Sequence, residues 1–161
     1  MANTIHGVVR TDALLATSAS AGLYSVKYMV DGEFAAIDNG SVLALDSLIE
    51  GEREVFKAVA PTEATLGKLV LIATPEVMCD ERLRNLSDFY NEAGVAARGY
   101  LLHSGDMFAV TEPVCKNFAS AAVGATVGVD GAKWNIGGSG VGSVIAIENV
   151  GNLKYVVIRV D

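Results

Sequence analysis

The sequence is poor in the residues that usually build metal and redox sites. It contains only 2 cysteines, 2 histidines and 1 tryptophan. Cys79 and Cys115 stand far apart, so there is no C-x-x-C pair of the kind found in zinc sites and dithiol redox motifs. No spacing motif links either cysteine to His6 or His103. We therefore predict that the chain uses no metal or other cofactor, and we interpret both cysteines as reduced, partly buried thiols.

Basic residues are also few. Lys and Arg total 12 against 19 Asp and Glu, which gives a net charge of −7 and a pI of about 4.8. Because phosphate contacts require clustered Lys and Arg, and no basic run is present, we predict no nucleic-acid partner. The chain shows no signal-peptide pattern and no apolar run that could span a bilayer. We expect a protein made and folded in a cytoplasm, with no membrane partner.

Hydrophobic residues and glycine are abundant by comparison. Hydrophobic residues make up 51% of the chain, and the 17 glycines are roughly one residue in ten, above the usual level of about 7%. Many glycines with only 3 prolines are typical of tight turns between short strands. At 161 residues the chain has the length of one domain with a sizeable core. We predict a mainly β, single-domain fold: a barrel or sandwich of short strands with one short helix.

The strands are predicted from side-chain alternation and from apolar runs. Residues 23–30 alternate large and polar side chains, which favours a half-buried strand. Residues 69–72 are all apolar, which favours a strand buried on both faces. Asp31-Gly32 and Asp130-Gly131 have the composition of tight hairpin turns, so we place both pairs at hairpin tips. Further strands are predicted at residues 33–37, 41–45, 52–59, 125–129, 132–136, 144–147 and 154–160.

Two further elements are predicted in the middle of the chain. Residues 98–111 have the pattern strand, turn, strand, with Gly105 in the turn, and we predict a central β-hairpin there. Leu86 and Tyr90 lie at helical spacing from Leu83, and Gly94 follows where a C-terminal cap belongs. This spacing predicts one short helix within residues 80–93.

The N-terminal residues 1–22 carry little hydrophobic patterning. Small and polar residues dominate, so we predict an extended arm, with one short strand near residues 5–10, ahead of a single β-rich domain at residues 23–161. We expect the arm to become ordered against a neighbouring subunit or another partner. On this interpretation, deleting residues 2–21 would leave the domain folded.

No group of residues has the spacing of a catalytic site. The glycines of residues 137–142 are followed by a strand-like run, whereas a dinucleotide-binding fingerprint requires a helix there, so we interpret them as a loop. His103, Ser104 and Asp106 are too close together in a turn to form a nucleophile, base and orienting acid. A small cytoplasmic hydrolase that uses Cys79 or Cys115 with His103 remains the alternative of a different class. We assign no catalytic, cofactor-binding or metal-binding residue.

Several stretches resemble the head decoration, or capsid cement, proteins of tailed bacteriophages. They cover residues 69–111 and the last strand, and include Pro-Glu-Val-Met-Cys-Asp-Glu-Arg at 75–82 and Leu-Ser-Asp-Phe-Tyr-Asn-Glu-Ala-Gly at 86–94. They are densest in the strand-turn-strand stretch within Ala-Arg-Gly-Tyr-Leu-Leu-His-Ser-Gly-Asp-Met-Phe-Ala-Val-Thr at 97–111. The resemblance implies a virion structural protein on the capsid surface that binds the major capsid protein, forms homo-oligomers and catalyses no reaction. A tail or neck component of the virion is the alternative within this class.

Overall fold

The computed structural model describes residues 5–14, 22–64, 67–80, 82 and 85–161. The fold is mainly β, as predicted, and consists of a closed five-stranded barrel and a second sheet. The strands of the described residues are β1 (Val9–Arg10), β2 (Leu23–Val30), β3 (Glu33–Phe34), β4 (Val42–Leu48), β5 (Val55–Val59), β6 (Leu69–Ile72), β7 (Ala97–Leu101), β8 (Met107–Val110), β9 (Cys115–Lys116), β10 (Thr126–Asp130), β11 (Lys133–Ile136), β12 (Gly142–Val150) and β13 (Leu153–Val160).

The barrel is closed by a pairing between its first and last strands. The strand order is β3-β2-β5-β4-β6-β7, and β7 pairs back onto β2, which leaves β3 outside the closed ring. Strands β2 and β5 are parallel, and the other pairs are antiparallel. The buried side chains that pack together inside the barrel are Val26, Leu43, Ala58, Val70, Ile72 and Ala97. The barrel thus has an apolar interior filled by side chains, as is usual for a small barrel.

Strand β6 is buried on both faces, as its unbroken apolar run predicted. Val70 and Ile72 belong to the barrel interior. Leu69 and Leu71 belong to a larger core formed with the second sheet. Because successive side chains of a strand point to opposite faces, a strand between two cores has no position for a polar residue.

The second sheet packs against the barrel through this larger core. Its strand order is β1-β8-β13-β12-β10-β11-β9. Phe108, Trp134 and Ile158 are buried in this core together with Leu71 of the barrel. The indole N–H of Trp134 donates to the backbone carbonyl of Gly40, at 2.7 Å, so a buried hydrogen bond also joins the two sheets.

Both predicted Asp-Gly turns lie at hairpin tips. Asp31 and Gly32 join β2 to β3 with φ values of 51° and 84°, the left-handed conformations that a two-residue hairpin turn favours. Asp130 ends β10 opposite Lys133, and Gly131 follows it with φ of 62°. The residue order Asp-Gly was therefore a correct indicator at both places.

The predicted central hairpin is wrong, although both of its strands and its turn are present. Strand β7 pairs with β2 and β6 in the barrel, whereas β8 pairs with β1 and β13 in the second sheet. The turn between them carries the chain from one sheet to the other. The backbone of this turn is hydrogen-bonded to the last strand, β13. The N–H of Gly105 donates to the carbonyl of Val160, at 2.9 Å, and the N–H of Val160 donates to the carbonyl of Asp106, at 2.8 Å. Alternation and turn composition predict strands, but not which strand each one pairs with.

The predicted helix is reduced to one short turn. Within residues 80–93 the described residues contain a single 3-10 helix, Leu86–Asp88. The side chain of Asp88 accepts the backbone N–H of Asn85, at 3.2 Å. Such side-chain bonds to nearby backbone groups compete with helix propagation. The short helix therefore lies inside a longer irregular connection.

The N-terminal segment is extended but is packed onto the domain over residues 5–14, so the prediction of a free arm is wrong there. Strand β1 pairs with β8, which agrees with the short strand expected near residues 5–10. The side chains of Val8, Val9 and Leu14 are buried. Gly7 has no room for a side chain, because a Cβ would clash with Val114 and with the carbonyl of Asn39. The remainder of the predicted arm, residues 1–4 and 15–21, lies outside the described residues.

Candidate functional site

Described residues of the connection between β6 and β7 form a cleft on the surface of the barrel. One side is built by residues 74–78 and the other by residues 88–96, and the cleft between them has a volume of about 380 Å³. We call it the connection cleft. Its lining side chains are mainly apolar and include Val77, Met78, Phe89, Tyr90 and Val95.

A buried amide network fixes the two sides of this cleft. The side chain of Asn39, which is 1% exposed, makes two hydrogen bonds with Thr74: its amide donates to the Thr74 carbonyl, at 2.8 Å, and its oxygen accepts the Thr74 N–H, at 3.0 Å. That oxygen also accepts from the side-chain amide of Asn91, at 3.0 Å. Thr74 begins one side of the cleft and Asn91 lies on the other, so Asn39 joins both.

Further contacts attach the second side of the cleft to the rest of the domain. Asn91 and Ile37 exchange backbone hydrogen bonds of 2.9 and 3.0 Å. The ring of His6 stacks on Tyr90, with ring centroids 4.6 Å apart. The His6 ring nitrogen Nδ1 lies 2.7 Å from the carboxylate of Asp38, which also accepts the N–H of Gly7. The N-terminal segment thus supports the wall that Tyr90 forms.

The apolar side chains of the connection cleft are unusually exposed for their type. Val77 is 77% exposed and Val95 is 56% exposed, and Tyr90 is also exposed. An isolated exposed apolar residue is ordinary, but a group of them around a concave surface is typical of a contact site. These residues do little for the core, so their surface position requires another explanation.

The rim of the cleft is acidic. Asp88 and Glu92 line it, and none of the described lining residues is Lys or Arg. The nearby Arg82 is engaged with Asp80, at 2.8 Å from its Nη2 to the carboxylate. The hydrogen bonds from Arg82 lower the pKa of Asp80. The cleft therefore combines an apolar floor with negative charge at its edge.

A second and larger cleft, of about 640 Å³, has mixed chemistry. Its lining carries two cations, Lys133 and Lys154, and two carboxylates, Asp38 and Glu112. Lys154 lies over the ring of Phe118, with its Nζ 5.5 Å from the ring centroid. With two cations beside two carboxylates, the lining of this cleft is proportionately more polar than that of the connection cleft.

The residues that the sequence singled out for chemistry do not form a catalytic arrangement. Asp106 is fully buried and its carboxylate accepts the backbone N–H of His103, at 2.7 Å, so it holds the turn. The His103 ring nitrogen Nδ1 lies 3.8 Å from the same carboxylate. Ser104 lies between them in the turn and is exposed. These contacts stabilise the crossing from β7 to β8.

The two cysteines lie in different environments. Cys115 is buried, and burial raises the pKa of its thiol to about 12, so the thiol is protonated at neutral pH. Cys79 is exposed on the connection between β6 and β7. Over the ranges that the structure describes, no group of three or more His, Cys, Asp or Glu side chains is arranged to hold a metal ion.

The glycine-rich loop that precedes β12 packs against strand β10 of the second sheet. The N–H of Gly137 donates to Thr126, at 2.7 Å, and that of Val141 donates to Val127, at 3.1 Å. The loop lies directly on Gly128, where a Cβ would approach the backbone oxygen of Ser139 to 2.6 Å. Strand β12 follows the loop, so the helix that a phosphate-binding loop requires is replaced by a strand. The interpretation of these glycines as part of a loop agrees with the structure over residues 137–141, and Gly142 begins β12.

The connection cleft was missed by sequence reasoning. Two of its apolar residues, Val77 and Val95, lie just outside the helix predicted within residues 80–93, and no prediction was attached to them. Among the described residues, no helix is long and apolar enough to cross a membrane. Comparison with protein-family models, curated proteins and solved structures gives no match to this chain.

Proposed function

We propose that this chain is a virion structural protein of a tailed bacteriophage that decorates the outer surface of the capsid by binding the major capsid protein. In this role it is made in the host cytoplasm, is located on the capsid surface, forms homo-oligomers and catalyses no reaction. The proposal is based on the resemblance of residues 69–111 to phage decoration proteins and on where these residues lie in the fold.

One observation supports the proposal most strongly. Of the three stretches that carry the resemblance, 75–82 and 86–94 belong to the connection between β6 and β7, whereas 97–111 contains the largely buried strands β7 and β8. Within the first two stretches Val77, Leu86 and Tyr90 are exposed. Packing of the core does not require apolar residues at these positions, whereas contact with another protein does. A surface contact role therefore explains these residues better than a purely architectural one.

The alternative of a cysteine-dependent hydrolase has less support. Its nucleophile must be a thiolate, and the raised pKa of Cys115 keeps that thiol protonated at neutral pH. Cys79 is exposed on the connection between β6 and β7, whereas His103 lies beside the carboxylate of Asp106 in the turn between β7 and β8. Labelling with iodoacetamide at neutral pH tests this alternative: we expect slow, ordinary labelling of Cys79 and none of Cys115 in the folded protein, whereas rapid labelling would favour the hydrolase.

Imaging of phage particles tests the proposed function. Particles made with and without this chain are compared by electron microscopy, and purified protein is added back to the particles that lack it. We expect density distributed regularly over the outer capsid surface only when the protein is present. Density confined to the tail or neck would favour the other virion role, and the absence of any difference would contradict both.

A further inference from the structure

We propose that the connection cleft is the docking site for a segment of the major capsid protein that carries a large apolar side chain next to Lys or Arg. This inference rests on the proposed function, and it adds the surface and the chemistry of the contact.

The apolar part of the partner is inferred from the walls of the cleft. Val77, Tyr90 and Val95 present exposed apolar surface around a concavity of about 380 Å³. Burying such a surface against an apolar side chain removes it from water, which is the main favourable contribution at protein interfaces. A polar or fully charged segment would leave the floor of the cleft without a matching surface.

The basic part of the partner is inferred from the rim. Asp88 and Glu92 both line the cleft, and the described lining contains no cation that could neutralise them. An apolar side chain that enters the cleft brings its sequence neighbours close to these carboxylates. Lys or Arg at those neighbouring positions gives electrostatic complementarity, whereas Asp or Glu would be repelled.

The same charges argue against a second copy of this chain as the occupant. A symmetric dimer through this cleft would place the Asp88 and Glu92 carboxylates of both copies at one interface, and each chain carries a net charge of −7. Like charges brought together at an interface disfavour association. The charges therefore argue against a symmetric contact of two copies through the cleft, and they favour the major capsid protein as the occupant.

The cleft is already formed before a partner arrives. Asn39 hydrogen-bonds to Thr74 on one side and to Asn91 on the other, and His6 stacks on Tyr90 behind the wall. A surface that is ordered in advance loses less conformational entropy on binding. This favours docking of a partner segment without rearrangement of the barrel.

The test measures binding to capsid shells assembled without this chain. Wild-type protein and two cleft variants, Val77→Asp and Glu92→Lys, are mixed with the shells and their binding is quantified by co-sedimentation. Two matched controls carry the same changes elsewhere, Val123→Asp and Glu50→Lys, because Val123 and Glu50 are also exposed and do not line the cleft. Thermal melting of each variant checks that it is folded.

We expect both cleft variants to lose affinity by about tenfold or more, as is typical when a central contact residue is changed, and both controls to bind like wild type. Raising the salt concentration should weaken wild-type binding, because the contact is partly electrostatic. Loss of binding in Val77→Asp with none in Glu92→Lys would overturn the basic flank of the partner. If both cleft variants are folded and bind the shells as tightly as the wild-type protein does, the docking site is overturned and the proposed function is left intact. Failure of the wild-type protein itself to bind the shells would overturn the proposed function, and the docking site with it.

Discussion

Replacing Asn39 by alanine is the most informative test of the hydrogen-bond network that joins the two sides of the connection cleft. Asn39 is almost fully buried and joins the two sides of the cleft through three side-chain hydrogen bonds. The change Asn39→Ala removes all three without introducing a larger group. It leaves the N–H and carbonyl of Thr74 and one amide hydrogen of Asn91 without their partner.

The size of the effect follows from the burial of the groups left behind. A typical intramolecular hydrogen bond contributes about 1 kcal/mol, and leaving a buried polar group unpaired costs about 1–3 kcal/mol. The two bonds to Thr74 are only partly buried, so water can replace Asn39 there, and the Asn91 amide keeps its bond to the carbonyl of Ile37, at 3.1 Å. We therefore expect Asn39→Ala to lower the free energy of unfolding by about 3 kcal/mol. For a domain of this size that corresponds to a decrease in Tm of roughly 6–12 °C.

The assay is urea unfolding followed by tryptophan fluorescence. Trp134 is the only tryptophan in the chain and is fully buried between the two sheets, so its emission reports global unfolding. A matched control is Asn152→Ala, because Asn152 is exposed in the turn between β12 and β13. The control should change the free energy of unfolding by less than about 0.5 kcal/mol.

A small effect would refute the reasoning. If Asn39→Ala changed the free energy of unfolding by less than about 1 kcal/mol at an unchanged m-value, the amide network would not be a significant constraint on the connection. The claim that the cleft is formed in advance would then lose its support. A changed m-value would instead indicate a different denatured state, and the comparison would be repeated by thermal unfolding.

Three further predictions concern the rest of the fold. Deleting residues 2–21 removes the buried side chains of Val8, Val9 and Leu14, and burial of each contributes about 1.5–3 kcal/mol to stability. Circular dichroism should therefore show unfolding or a much lower Tm. An unchanged Tm would contradict the packing of residues 5–14. Gly131→Val should lower the free energy of unfolding, measured in urea, by about 1–2 kcal/mol, because residue 131 has a φ of 62°. A Cβ at this position meets no neighbouring atom, so no steric clash adds to the effect. The control Gly67→Val should lower it clearly less, because position 67 is equally open and has no positive φ. Burial raises the pKa of the Cys115 thiol from about 9 to about 12 in the folded state, so the unfolded state loses its proton first. The contribution of Cys115 to the free energy of unfolding should fall by up to about 1.4 kcal/mol per pH unit between these values. Cys115→Ala should remove that part of the slope and leave the part due to Tyr28 and Tyr155, whose pKa values burial also raises.

Local sequence patterns predicted the strands well where the burial of side chains is regular. The alternation in residues 23–30 and the apolar run in residues 69–72 both appear as strands β2 and β6. The two Asp-Gly pairs appear at hairpin tips because Asp31, Gly32 and Gly131 take positive φ values, a local requirement that few residues meet. These features depend only on neighbours in sequence.

The candidate site was not predictable in the same way. The apolar residues of the connection, such as Val77 and Val95, follow neither the period of a strand nor that of a buried helix. They become recognisable as a candidate contact site only because they share a concave surface with Phe89 and Tyr90. The acidic rim became recognisable only once the same surface placed Asp88 and Glu92 together.

The sequence by itself determined the mainly β character of this protein, most of its strands and its two Asp-Gly turns, because these depend on alternation, glycine and hydrophobic content within short windows. Only the tertiary structure decided that β7 closes the barrel while β8 joins the second sheet, and that Val8, Val9 and Leu14 of the N-terminal segment are buried. Strand pairing and the packing of a two-residue strand depend on which distant surfaces are buried together. Val9 and Val110, about a hundred residues apart, face each other because both the β1–β8 hydrogen bonds and the shared apolar core favour it.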